Sequence, residues 1–425
     1  MTGSGLSEAE ITRAVEKIAR ADGGRLLSNL MGMLRDLQLA EDSLYDALES
    51  ALVHWQRNGL PASPTGWIMQ TAKRKAIDRL RRVANFASKS AYIAHLIELE
   101  NASDSLQEQE TIQDDRLKLI FTCCHPALDR KTAVALTLRS VCGLTTEEIA
   151  RAFLDKTEAM AQRLVRARHK IHKAGIQYEV PEPEHWRMRL ESVLAVIYLI
   201  FNEGYASSDA AYLRGELCEE AIRLGRLLIH LCPEQPEAEG LLALMLLHHA
   251  RSATRLGPAG DLLSLEEQDR GQWDRAMIDE GMALLKTALQ RGQAGPYQLQ
   301  AAIVSLHAQA ASFEQTDWRE ILMLYDLLVL MTSNDVVHLN RLVALAQVRG
   351  PQVALEALEQ LEAELGNYQP FHAAKAEFLR RLERLDTAEE CYHRAIELSS
   401  NPAERRFLER RLAGLRRHGD ADAYP

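Results

Sequence analysis

Apolar residues recur three and four positions apart along nearly the whole chain, the spacing of amphipathic helices. Leu26, Leu27, Leu30, Leu34 and Leu37 form one stripe, and Leu44, Leu48, Leu52 and Trp55 another. The turn-rich run Asn58-Gly59-Leu60-Pro61-Ala62-Ser63-Pro64 interrupts the pattern, and a further helix is predicted from near Thr65. These segments define a first helical unit over residues 8–86. A second unit is predicted over 116–178. Thr132 to Val141 is apolar-periodic and stops before Gly143. Thr145 or Thr146 can cap the next helix, with Glu148 or Glu147 closing a capping box. That helix holds Ile149, Ala150 and Phe153. A short turn around Leu154 to Lys156 leads to a third, with Met160, Leu164, Val165 and Ile171 expected on one side. Two helices joined by a tight turn, the second rich in arginine, read as helix-turn-helix.

Pro181 and Pro183 mark the next predicted boundary, and helical pairs follow over 185–417. Ala376, Ala388, Tyr392 and Ala395 fit the small and aromatic positions of a tetratricopeptide repeat. Ala221, Gly225, Leu228 and Pro233 fit the later positions of another. The expected fold is all-α, closing in an α-solenoid-like, TPR-like domain.

Composition sharpens this picture. The 425 residues suit two or three domains, and an apolar content of 47% supports packed cores. Six cysteines without regular spacing point to free thiols in a reducing compartment. The longest apolar run, Val193 to Phe201, is too short to span a bilayer, and no export signal is visible, so a cytoplasmic protein is expected. Net charge is −10, but it is unevenly spread. Residues 1–180 hold 25 basic and 23 acidic residues; residues 181–425 hold 25 and 37. Against this background, residues 67–82 carry six bases (Lys73, Arg74, Lys75, Arg79, Arg81 and Arg82) and one acid, Asp78. A second basic helix carries Lys156, Arg163, Arg166, Arg168, Lys170 and Lys173. Two cationic helices on an acidic chain suggest a protein that grips nucleic acid at two places. Between them, residues 87–115 read as a linker, with seven acids and no base from Glu98 to Asp115.

The two basic units, in this order, resemble an extracytoplasmic-function sigma factor of bacterial RNA polymerase, with its region 2 and region 4 domains. Ala40-Glu41-Asp42-Ser43-Leu44-Tyr45-Asp46 resembles the acidic helix of region 2 that docks on the polymerase clamp. Trp67 through Arg82 resembles the helix that reads and melts the −10 element. Gly143-Leu144-Thr145-Thr146-Glu147-Glu148-Ile149-Ala150 and Gln162-Arg163-Leu164-Val165-Arg166-Ala167-Arg168 resemble the region 4 helices that read the −35 element. Phe121-Thr122-Cys123-Cys124-His125-Pro126, Asn202-Glu203-Gly204-Tyr205, Gly240 to His248 and Gly295 to Gln300 resemble hallmarks of the subgroup with a long C-terminal helical extension. Tyr45 and Leu48 stand where Gln and Phe are usual, and Glu158-Ala159-Met160-Ala161-Gln162 replaces the common start of the recognition helix.

The resemblance implies core RNA polymerase and promoter DNA as partners, and no covalent chemistry or cofactor. Asp36, Glu41, Asp42 and Asp46 are the expected polymerase contacts. Trp67, Lys73, Arg74, Lys75, Arg79, Arg81 and Arg82 are expected at the −10 region, where melted bases need a positive groove and pockets. The Trp67 ring itself reads better as a core anchor, and Asp78 as an intrahelical partner. The Asn58–Pro64 loop is expected to capture a flipped base. Lys156, Glu158, Ala159, Gln162 and Arg163 are expected to face −35 base edges, with Arg166, Arg168 and Lys170 on phosphates. The C-terminal domain is expected to pack on regions 2 and 4 or to bind another protein. Cys123, Cys124, His125 and Cys142 lack the gap a structural zinc site favours. His248-His249 reads as a helix terminus, and Asn202-Glu203-Gly204-Tyr205 as a helix-ending glycine turn. The alternatives are a helix-turn-helix regulator fused to a helical-repeat scaffold, which leaves the 67–82 helix idle, and an α-solenoid enzyme or ligand-binding protein.

Overall fold

The computed structural model describes residues 7–84, 115–153, 155–205, 211–332, 334–399 and 401–421. These are helical throughout, with no strand among them; one isolated bridge joins Leu256 and Leu262. The chain divides into two compact units, residues 1–200 and 201–425. The expected linker falls outside the described residues except for Asp115.

In the first unit α1 (Glu8–Leu34) starts from a reciprocal box: the Ser7 side chain accepts from the Glu10 amide, and the Glu10 carboxylate accepts from the Ser7 amide. The Leu26–Leu37 stripe does not form one helix. Arg35 turns left-handed at φ 52°, and Asp36 accepts from the Leu39 amide at 3.0 Å to cap α2 (Leu37–Asn58). Gly59 ends α2 at φ 78°. Pro64 opens α3 (Pro64–Ala84), a position where the missing amide hydrogen is no loss. Ile68, Met69, Ala72, Ala76, Ile77 and Leu80 bury one face of α3, which packs on α1 and α2.

The second module of this unit contains α4 (Arg116–Cys123), α5 (Arg130–Ser140), α6 (Thr146–Ala152) and α7 (Thr157–Lys173). Of the two capping pairs the sequence allows before α6, the structure uses Thr145 and Glu148: each side chain takes the other's backbone amide, at 3.1 and 2.7 Å. Met160, Leu164, Ala167 and Ile171 form the buried stripe of α7. Val165, expected in that stripe, is instead 54% exposed, because Ala167 occupies the inward position.

The boundary expected at Pro181 and Pro183 also shifts. Helix α8 (Pro183–Tyr205) begins there, but the Trp186 ring packs on Phe121 at 5.2 Å, and Arg189 donates to the Phe121 carbonyl at 2.8 Å. The first part of α8 therefore belongs to the first unit, and the division follows Ile200. Nor does Gly204 end the helix, which continues through Tyr205. The Tyr205 ring stacks on Phe201 at 5.5 Å and receives two arginines, and this packing outweighs the modest helical cost of one glycine.

The second unit is built from helices in succession: α9 (Ala211–Leu231), α10 (Pro236–His249), α11 (Arg275–Gln290), α12 (Pro296–Gln309), α13 (Trp318–Met331), α14 (Asp335–Arg349), α15 (Pro351–Leu358), the short α16 (Glu362–Leu365), α17 (Gln369–Arg381), α18 (Leu385–Leu398) and α19 (Pro402–Ala421). Helix α10 is apolar on every side and fully enclosed from Ala238 to Leu247 by α9, α11 and α12. Gly240 lets α12 approach it; a side chain there would lie 2.9 Å from the Gln298 nitrogen. Ala376, Ala388, Tyr392 and Ala395 are all buried between α17 and α18. Helix α19 is tied to the 257–267 loop by Arg410, 3.0 Å from Asp261 and 2.8 Å from Glu267.

Candidate nucleic-acid interface

The basic helix α3 is oriented by Trp67. Its ring stacks on His54 at 5.2 Å and meets Trp55 edge-on at 5.6 Å, so it anchors the helix on α2. With the apolar face of α3 turned inward, Arg74, Arg81 and Arg82 are exposed and Lys73, Lys75 and Arg79 partly buried. Burial lowers the pKa of Lys73. Asp78 lies 3.9 Å from Arg81, one turn along the same helix. Arg79 is not free: it sits 3.1 Å from Asp42 and 2.7 Å from Asp46. Two of the acids expected on the polymerase therefore hold a cation expected on DNA. Each of these half-exposed pairs is worth up to about 1 kcal/mol and is open to competition.

On α7, Lys156, Glu158, Gln162, Arg166 and Lys170 are exposed, and Ala159 is partly so. Arg163 is 2.9 Å from Asp155, at the turn before the helix. Most of the residues expected to read base edges are thus exposed to solvent.

Two expectations are corrected. Asp36, Glu41, Asp42 and Asp46, expected as polymerase contacts, are not all presented at the surface. Asp36 is a cap, and Glu41 is only 2% exposed. Arg168, expected on a phosphate, is turned inward to Glu41: its Nε lies 2.6 Å from a Glu41 carboxylate oxygen, at an angle outside hydrogen-bond geometry. The Ser140 hydroxyl donates to the other carboxylate oxygen at 2.6 Å. A buried carboxylate demands such partners, and here the second module supplies both.

The contact between the modules is broader than this triad. The Arg139 guanidinium lies 4.3 Å above the Tyr45 ring. Tyr45, where the family usually has Gln, has its hydroxyl pKa pushed up to about 12, chiefly by burial. Arg20 is 2.6 Å from Glu148, and the Tyr178 hydroxyl donates to the Ser28 carbonyl at 2.7 Å. Two glycines let the backbones meet: a Cβ on Gly24 would lie 2.5 Å from the Val141 oxygen, and one on Gly143 (φ +74°) would lie 2.7 Å from the Ala19 oxygen. Beside this contact, a cleft of about 700 Å³ is lined by Arg35, Asp36, Lys118, Arg168, His169 and His172.

Residues 18–86, which contain α3 and the acids that face it, match the sigma-70 region 2 family. The chain thus carries a sigma-70 region 2 domain over these residues. Region 2 accordingly comprises most of α1, all of α2 and the basic helix α3. Residues 189–289 match a family of unknown function, DUF6596. The chain is also 39% identical over 389 residues to the uncharacterized protein R00370 of Rhizobium meliloti (strain 1021), covering 91% of this chain and 92% of that one. It belongs to one family with that protein along nearly its whole length. No solved structure matches.

Cys123, Cys124 and Cys142 are buried and form no disulfide. Burial pushes the Cys123 thiol well above its ordinary range and that of Cys124 to about 12. Sequence reasoning missed the roles of Ser140 and Arg139. Neither carries a motif, and their function as partners of Glu41 and Tyr45 exists only once the two modules meet. Among the described residues, no helix is long and apolar enough to cross a membrane.

Proposed function

We propose that this chain is an extracytoplasmic-function sigma factor that binds core RNA polymerase and directs it to promoters. Region 2 reads and melts the −10 element through α3, and α6–α7 act as the region 4 helix-turn-helix at the −35 element. The observation that carries this is the sigma-70 region 2 match over 18–86, coinciding with an exposed row of Arg74, Arg81 and Arg82 on an acidic chain. A second exposed cationic helix follows the Thr145–Glu148 capping box, as a groove-reading helix should.

The residue contacts add a requirement. Glu41 and Arg168 neutralise each other, and Asp42 and Asp46 engage Arg79. Polymerase and promoter must replace these partners, so initiation includes parting α7 from α2. The α-helical second unit serves as a regulatory extension with TPR-like pairing.

The test is in vitro transcription with purified core polymerase and genomic promoter fragments. The full chain is expected to yield discrete start sites, and Arg74→Ala with Arg82→Ala is expected to abolish opening of the −10 region. Failure to initiate at any start site, with the chain folded, ends this reading.

A further inference from the structure

In the second unit, Arg251, Arg255 and His248 converge on Tyr205, and Arg270 and His307, which feel the charge of Arg251, form a second pair. Arg251 donates to the Tyr205 hydroxyl at 2.7 Å, and the same nitrogen lies 3.4 Å from His248 Nδ1. Arg255 donates to the Tyr205 carbonyl at 2.6 Å and lies flat over its ring, 3.6 Å from the centre. The His248 ring meets Tyr205 edge-on at 5.1 Å. Arg270 is 8% exposed and donates to the carbonyls of His307 (2.5 Å) and Ala310 (2.8 Å). His307 in turn packs against Trp318 at 5.2 Å.

Among the described residues the charge is out of balance. Among the described residues, none of Arg251, Arg255 and Arg270 has a carboxylate within ion-pair distance. Elsewhere in this unit, comparable arginines do: Arg291 pairs with Glu239, and Arg410 with Asp261 and Glu267. The acids that influence the cluster, Glu404 on Arg255 and Glu314 on Arg270, do so only at longer range. Two polar atoms are buried and unpartnered, Arg251 Nε and His307 Nδ1. Burying several like charges, with free donors beside them, is unfavourable unless an anion completes the site.

We propose that Arg251, Arg255, Arg270, His248 and His307 form a binding site for a small oxyanion, a phosphate or a carboxylate. Arginine is the residue suited to this chemistry: its planar fork offers paired N–H donors, and its charge does not titrate away. Neutral imidazoles add donors or acceptors without further repulsion. Desolvation, reinforced by Arg251, Arg255 and His307, holds His248 well below its ordinary value. Desolvation and then Arg251 and Arg270 bring His307 to about 4. The aromatic rings of Tyr205, Trp273 and Trp318 pack on Arg255, Arg270 and His307 in turn, and such apolar surroundings strengthen charge-assisted contacts. The site is independent of the sigma-factor reading and gives the DUF6596 segment a ligand class.

The experiment is isothermal titration of the full chain with inorganic phosphate and, separately, malonate, against sodium chloride at equal ionic strength. Saturable binding of either oxyanion is expected, and the tighter of the two fixes the ligand's acid group. Arg251→Met is expected to weaken it by roughly tenfold or more, and Arg251→Lys by less, since the charge remains without the fork. Should Arg251→Met fail to fold, the wild-type chain decides alone: phosphate or malonate must raise its unfolding temperature above the chloride control. No saturable binding of either oxyanion by the wild-type chain, or unchanged affinity in a folded Arg251→Met, overturns the proposal.

Discussion

Glu41 and Arg168 provide an asymmetric test of the contact between the two modules. The Glu41 side chain is 3% exposed and that of Arg168 17%. Arg168→Met strands the more deeply buried charge. Losing one partner of a buried pair costs about 3–5 kcal/mol. The loss is capped near the cost of neutralising an ordinary carboxylate at pH 7, about 4 kcal/mol. Glu41→Gln strands the less buried charge, which reaches water more readily, and keeps a group able to accept from Ser140. A loss of about 2 kcal/mol is expected. The double variant removes both charges and should cost less than the two single losses added, leaving a coupling of at least ~1.5 kcal/mol. Native-state hydrogen exchange on α2 and α5 reads the opening of this unit without requiring the whole chain to unfold in one step. Equal losses in the two single variants, or a coupling near zero, would refute the claim that this pair joins the modules.

Other outcomes follow from single residues. His307, at about 4 when folded, refuses a proton that the unfolded chain accepts below about pH 6.5. His307 should therefore make stability fall as the pH drops from about 6.5 towards 4, by up to ~3 kcal/mol beyond what His248 contributes, and His307→Gln should lessen the slope by that share in urea titrations run across the range. Arg74→Ala removes an exposed cation and should reduce the slope of log affinity for promoter DNA against log salt by about one, measured by fluorescence anisotropy with core polymerase present. Gly143→Ala places a Cβ 2.7 Å from the Ala19 oxygen at φ +74°, and should lower the stability of the first unit by more than the ~1–2 kcal/mol of the backbone strain alone, read by hydrogen exchange on α1 and α5.

Local features were the most legible in the sequence. The periodicity of apolar residues gave α2, α3 and α7 because a helix must bury one stripe whatever it packs against. The Thr145–Glu148 box could be narrowed to two pairs because capping spans only three residues. Longer-range electrostatics could not be read. Glu41 is 99 residues from Ser140 and 127 from Arg168, and an acid on a helix reads as solvated until its partners are known. Arg251 and Arg255 likewise looked unremarkable, since their common partner is Tyr205, near 50 residues upstream. Gly204 misled for a related reason: its low helix propensity is a local signal, and the stacked Phe201 and Tyr205 rings prevail over it. The Leu26–Leu37 stripe hid a break because leucines on both sides of Arg35 still face one core.

The His54–Trp67–Trp55 stack has a mechanical consequence. It pins the first turn of α3 to the end of α2, so the azimuth at which the arginine row leaves the protein is set by indole against imidazole, and the 59–63 connection is only a tether. Lengthening that tether by a residue should leave the row aimed as before, whereas shrinking the indole at 67 should let the rod roll about its axis and scatter the cations around it.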